Sequence, residues 1–128
     1  MIPGIEKLKR QKPLEVNAWN FDEYILTSDL PALVCFGANY QKDSLFLYNA
    51  LEWYAQRFDG KMIVAYANID VVTPLFGRCN VTEYPTLIIF EDGKEFSRMV
   101  GYDYHGDIDD LLYNFFGYLP YDRTAKFM

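Results

Sequence analysis

The run Pro31-Ala-Leu-Val-Cys-Phe-Gly37 constrains this chain more than any other stretch. It is apolar from end to end and no longer than a strand. A strand with one wet face alternates apolar and polar residues, whereas a continuous run is shielded on both faces. The rest of the chain must therefore supply a layer on each side of it.

Candidates for those layers follow from periodicity. Leu47, Leu51, Tyr54, Ala55 and Phe58 fall at i, i+4, i+7, i+8 and i+11, the buried stripe of a long helix that Asp59-Gly60 ends. Asp43 or Ser44 is the expected cap at its start. Residues 61–69 read as a second buried strand. Thr73-Pro74 fits an N-cap followed by proline at the first helical position, opening a short helix to about Cys79. Residues 86–90 read as a third strand, Glu91-Asp-Gly-Lys94 as a hairpin turn, and residues 95–100 as its antiparallel partner. Residues 107–116 form a last helix, with acidic residues at its start, where the helix dipole favours them. A short helix over residues 17–27 carries Trp19, Phe21, Tyr24 and Ile25. This order predicts an α/β fold: a central mixed sheet, parallel at its strand–helix–strand crossovers and antiparallel at the hairpin, with helices on both faces. Residues 1–13 read as a basic arm, 14–117 as the domain and 118–128 as a tail, too apolar at Gly117-Tyr-Leu-Pro-Tyr121 to be a free end.

Hydrophobic residues at 51% against 23% charged exclude a disordered chain. The net charge of −6 argues against a general nucleic-acid binder, which needs a basic surface. That charge is uneven: Lys7, Lys9, Arg10 and Lys12 against Glu6 give residues 1–13 a net +3, leaving −9 for the remainder. Lys and Arg interrupt the N-terminus before any apolar run, so no signal peptide, no membrane insertion and a cytoplasmic location are expected. Cys35 and Cys79 are far apart and match neither a disulfide framework nor a metal-ligand pattern, so no metal and no cofactor are expected. The lone His105 lacks recognisable co-ligands and reads as a loop residue.

The segments Leu-Val-Cys-Phe-Gly-Ala (33–38), Asn68-Ile69-Asp70, Tyr84-Pro85-Thr86, Asp92-Gly93 and Val100-Gly101, at their spacings, make the chain resemble thioredoxin over about residues 14–117. The resemblance implies a thioredoxin-like fold and an active-site loop at the start of the long helix. Thioredoxins carry Trp-Cys-Gly-Pro-Cys there, whereas this chain reads Tyr40-Gln41-Lys42-Asp43-Ser44. Dithiol exchange needs a thiolate to attack and a second thiol to resolve the mixed disulfide. Gln41 cannot attack, and Ser44 forms no disulfide. The family's buried Asp and its neighbouring Lys correspond to Cys35 and Tyr66. The resemblance also implies a cis bond before Pro85, with the backbone of Tyr84 able to pair with an extended peptide in a groove bounded by Tyr40, Gln41, Tyr84, Pro85 and Gly101.

Two functions follow from these readings. The first is a redox-inactive domain that binds a protein partner, chaperone-like or as an accessory or assembly subunit. Its candidate contacts are Tyr84, Pro85, Gly101, Phe46 and Trp53, with at least two rings among Tyr40, Phe46, Trp53 and Tyr84 expected to be exposed around one patch. The second is a thiol-linked redox protein acting through Cys79 and a partner's cysteine. Cys35, mid-strand, reads as an inert buried thiol, and Cys79 otherwise as a small residue ending a helix.

Overall fold

The structure, a computed structural model, describes residues 12–101 and 105–122. Most of the basic arm, the Tyr102-Asp103-Tyr104 segment, the end of the tail and the side chain of His105 lie outside the described residues. Five strands form one sheet: β1 (Leu14–Glu15), β2 (Ala32–Gly37), β3 (Ile63–Asn68), β4 (Thr86–Glu91) and β5 (Lys94–Val100). They stand in the order β1-β3-β2-β4-β5. β1 and β2 both run parallel to β3, while β4 pairs antiparallel with β2 and β5 with β4.

The apolar run is the central strand, and all six of its residues are buried. Its side chains alternate between two clusters, as the pleat requires. Leu33 and Cys35 join Val64, Tyr66, Leu87 and Ile89 beneath α2 (Lys42–Arg57) and α4 (His105–Phe116). Ala32, Val34 and Phe36 join Ile88, Phe90 and Ala67 beneath α1 (Phe21–Leu26) and α3 (Ile69–Arg78). Each fully buried Leu, Ile or Phe on these faces contributes roughly 1.5–3 kcal/mol relative to exposure. The helical stripe of Leu47, Leu51, Tyr54, Ala55 and Phe58 is buried throughout.

Several element starts differ from the sequence expectation. Gln41, ahead of Asp43 and Ser44, stands at the N-cap position of α2 without a side-chain cap, and the Ser44 hydroxyl bonds the Ala38 amide and Gln41 Oε1 instead. α3 begins at Ile69, since the Asn68 side chain accepts from the Asp70 amide and caps it. α3 is two helices joined across a kink at Val72 (φ −129°, ψ 45°), and the second opens at Thr73-Pro74, as the sequence suggests. That break accommodates a proline ring that would clash with the carbonyl four residues back. The segment over residues 17–27 narrows to α1, a π-type turn closed by Thr27 N to Asp22 O. Phe21 and Ile25 are buried in it, whereas Trp19 is exposed. α4 takes in His105 at its first position. The hairpin turn places Asp92 and Gly93 at φ 53° and 76°, the geometry of a two-residue type I′ loop.

Among the described residues, the tail folds back on the domain. Tyr121 packs edge-on against Trp53 and Phe58, and its hydroxyl donates to the buried Asp109 carboxylate at 2.7 Å. Tyr54 donates to the same oxygen at 3.3 Å.

Candidate functional site

The site stands where β2 ends and α2 begins. Gly37 closes β2 because nothing larger fits: a Cβ there would lie 2.7 Å from the Tyr66 hydroxyl and 3.0 Å from Ser44 Oγ. The chain then turns through Ala38–Gln41, with Gln41 N donating to Ala38 O at 2.9 Å. Tyr40 projects from this turn and is 73% exposed.

Ser44 lies fully buried in the first turn of α2. Its Oγ accepts from the Ala38 amide at 3.1 Å and donates to Gln41 Oε1 at 2.5 Å. The Gln41 amide in turn reaches across to the next strand, where Nε2 donates to the Tyr84 carbonyl at 2.6 Å. Gln41 therefore bridges the helix start and the residue before Pro85, and every link in the chain is a hydrogen bond. The Tyr84–Pro85 peptide bond is cis. Gly101, at φ 80°, donates from its amide to Pro85 O at 2.8 Å, which completes the ring of segments. Tyr40, Gln41, Ser44, Tyr84, Pro85 and Gly101 thus come together, with Lys42 and Asp43 exposed on the outer side of the first turn.

Beneath the loop the side chains are apolar or neutral. Tyr66 is almost fully buried, stacks edge-on with Tyr48 and donates to Asn39 Oδ1 at 3.0 Å. Burial pushes its phenol well above the usual tyrosine range, with Cys35 and Glu15 adding to the effect. Cys35, opposite Tyr66 in the β2–β3 register, is fully buried, and desolvation drives its thiol far up. No carboxylate or ammonium stands at either place. Asn39 is not foreseeable from the sequence, because an exposed loop asparagine gives no sign that a buried phenol will need its oxygen.

Not every expected contact residue arrives at the loop. Phe46 is half exposed at the start of the second turn of α2. Tyr84 is half-buried, its ring edge-on to Phe76 at 5.5 Å. Trp53 is in the tail cluster against Tyr54 and Tyr121, with the Arg57 guanidinium 4.2 Å over its ring. Of the four rings, Tyr40 and Phe46 are exposed, while Trp53 stands apart in the tail cluster. Trp53 stands eleven residues along α2 from Lys42, about 16 Å at 1.5 Å per residue.

Cys79 lies at the opposite end of the sheet. It ends α3 and lines a cleft of about 230 Å³ with Phe21, Leu26, Phe90 and Gly93. Burial raises its thiol pKa, opposed by the nearby Arg78 and Arg98 guanidiniums. Arg98 holds the helix end by donating to the Cys79 and Asn80 carbonyls while paired with Glu95. Both cysteines are free thiols, packed against opposite faces of the sheet. Among the described residues, no group of three or more His, Cys, Asp or Glu could hold a metal ion, and no helix is long and apolar enough to cross a membrane.

A five-stranded mixed sheet with helices on both faces, its central strand running through a loop into a long helix opposite a cis-proline, defines the thioredoxin-like class. The thioredoxin family model matches residues 12–114, and the chain belongs to that family. It is 33% identical over 90 residues to "Thioredoxin" of Chlorobaculum thiosulfatiphilum, covering 70% of this chain and 83% of that protein. It is 34% identical over 90 residues, with the same coverage, to "Thioredoxin 2" of Chlorobaculum tepidum. The solved structure of a mutant thioredoxin from Halobacterium salinarum NRC-1 shares the fold with a TM-score of 0.72 and 24% identity, over 82% of this chain and 91% of that one.

Proposed function

We propose that this thioredoxin-family protein holds a protein partner at the loop face and carries out no dithiol exchange there, working as a chaperone-like, assembly or accessory subunit. The observation that carries this reading is the Ser44–Gln41–Tyr84 hydrogen-bond chain, which occupies the place where exchange would need two thiols. A reduced dithiol must open and close a covalent bond at this point. A serine and a glutamine tied to the backbone hold the loop in one arrangement instead. Cys35 and Tyr66, both held in their protonated forms beneath the loop, point the same way, since neither is a carboxylate or an amine that would exchange a proton with the loop near neutral pH. The cleavage machinery is missing, while Tyr40 and Phe46 present exposed ring surface of the kind that partners contact.

Kinship alone favours the second reading, a thiol-linked redox role, because the relatives are named thioredoxins. In this chain such a role has only Cys79 to use, at the end of the sheet away from the loop. Its raised pKa leaves less thiolate at neutral pH than an ordinary cysteine has. Alkylation of the native protein with iodoacetamide, read by mass spectrometry at each cysteine, separates the two readings. The binding reading expects both thiols to react more slowly than free cysteine, with the Cys79 rate rising only at alkaline pH. A Cys79 that outpaces free cysteine at neutral pH would overturn it in favour of the thiol-linked role.

A further inference from the structure

Trp19, Tyr40 and Val71 are 86%, 73% and 65% exposed, the highest values among the large apolar residues described. They come from three different segments, yet the topology gathers them at one end of the sheet. β1, β3 and β2 are adjacent and parallel, and Gly37 pairs with Asn68 while Glu15 pairs with Tyr66. Trp19 follows the end of β1, Val71 the end of β3 and Tyr40 the end of β2. Neighbouring strands lie about 4.8 Å apart, so the three strand ends span roughly 10 Å.

Each residue is displayed by a turn that hydrogen bonds hold rigid. Asn17 Oδ1 accepts from the Trp19 and Asn20 amides, Asn20 Oδ1 accepts from the Asn17 amide, and Asn20 Nδ2 donates to Glu15 O. Asn68 caps the turn before Val71, and the Gln41 amide closes the turn that carries Tyr40. An apolar side chain presented on a fixed backbone loses little entropy when a partner covers it.

On the other side of Tyr40, toward β4, the Tyr84 carbonyl that an added strand would use already accepts from Gln41. The exposed apolar side chains left at this end of the sheet are therefore Tyr40, Val71 and Trp19, on the β2, β3 and β1 side of the loop. Carboxylates accompany them: Asp43 after Tyr40 and Asp70 beside Val71 are exposed, with Lys42 the nearby base, while Glu15, before Trp19, accepts from the Tyr48 hydroxyl on the α2 side. Exposed indole and phenol rings also accept cations on their faces.

We propose that Trp19, Val71 and Tyr40 form a docking rim for a helical segment of a partner protein that carries Lys or Arg beside an apolar face. This rests on the binding function proposed above and gives it a location and a partner chemistry. Apolar groups of the partner cover the three side chains, and its cations meet the carboxylates and rings.

Trp19 reports on its own rim once Trp53 is replaced by Phe, because the chain has two tryptophans. In that variant, Trp19 emission is followed during titration with an amphipathic Leu–Lys helical peptide of about 18 residues, five turns. The expected result is a saturable blue shift, absent with the matching Leu–Glu peptide. Adding Tyr40→Ala and Val71→Ser should weaken binding at least about tenfold, as loss of contact anchors does. Adding Phe96→Ser, on the far edge strand, should leave binding unchanged. The proposal is overturned by an equal response to the Leu–Glu peptide, by undiminished binding in the Tyr40→Ala, Val71→Ser variant, or by no saturable shift. A shift that grows with the protein's own concentration, without peptide, would assign the rim to a second copy and also overturn the proposal. The alkylation rates of Cys35 and Cys79 decide the broader binding reading separately, so failure of one is distinguishable from failure of the other.

Discussion

Gly37 shows how tightly single residues set the loop. A methyl group there would press on the Tyr66 hydroxyl and Ser44 Oγ from inside a close-packed layer. Gly37→Ala should therefore destabilise the fold by about 1–3 kcal/mol, the range for overpacking. Adding Tyr66→Phe, which deletes the atom in closest conflict, should recover part of that loss in urea denaturation. The polar links depend on one another. Ser44→Ala leaves the buried Ala38 amide without its acceptor, and Gln41→Ala leaves the buried Ser44 hydroxyl without its own, so each should cost about 1–3 kcal/mol. A loss below about 0.5 kcal/mol in either variant, the level of ordinary surface substitutions, would contradict this. Cys35 adds a pH dependence. Its thiol stays neutral in the folded chain, because burial raises its pKa, but ionises near its ordinary value of 9.0 once unfolded. Above that value the unfolded state sheds a proton that the folded state keeps, so stability is full below about pH 8 and falls steadily as the pH rises beyond about 9 toward the much higher folded value. Cys35→Ala should start from a lower stability at neutral pH and show a shallower fall across that range.

At the scale of elements, periodic and continuous apolar patterns are legible in the sequence, and local hydrogen-bond choices are not. The run at residues 31–37 and the stripe from Leu47 to Phe58 announce a buried strand and a helix face because burial alone decides them. The helical segment after β3 starts twice: Asn68 caps a first turn that carries no period in the sequence, and after the kink at Val72 a second helix opens at Thr73-Pro74 and ends at Cys79, as those residues suggest. β1 is invisible there because two residues carry no period, and its pairing rests wholly on the exposed edge of β3. Trp53 is expected near the loop because it falls off the main stripe of α2, a position that the returning tail in fact fills. That tail is a structural element in its own right. Tyr121→Ala removes a ring from the Trp53–Tyr54–Phe58 cluster and a hydrogen bond to buried Asp109, and should destabilise by roughly 2–4 kcal/mol. A change below about 0.5 kcal/mol, the level of ordinary surface substitutions, would show that the tail does not hold α2 and α4 together.

For the whole molecule, the fold and the function are legible to different depths. The family pattern is spread along the chain in strand ends, turns and the proline segment, so the architecture can be read before any coordinates. Loss of the loop thiols is equally plain, because only Cys35 and Cys79 are present. What replaces them is not, since nothing in Gln41 or Ser44 as letters reveals a chain of bonds from the Ala38 amide to the Tyr84 carbonyl. The surrounding core matters as much as the loop. A Gln41→Cys, Ser44→Cys double variant should reduce insulin only weakly, because the neutral Cys35 and Tyr66 beneath it offer no proton relay; full thioredoxin-level turnover would show that the loop residues alone had set the activity. The central claim, that the native loop performs no dithiol exchange, is tested most directly by insulin reduction with dithiothreitol, alongside the Chlorobaculum tepidum thioredoxin 2 as a reference. The account predicts precipitation of insulin no faster than with dithiothreitol alone, and turnover approaching that of the reference protein would contradict it.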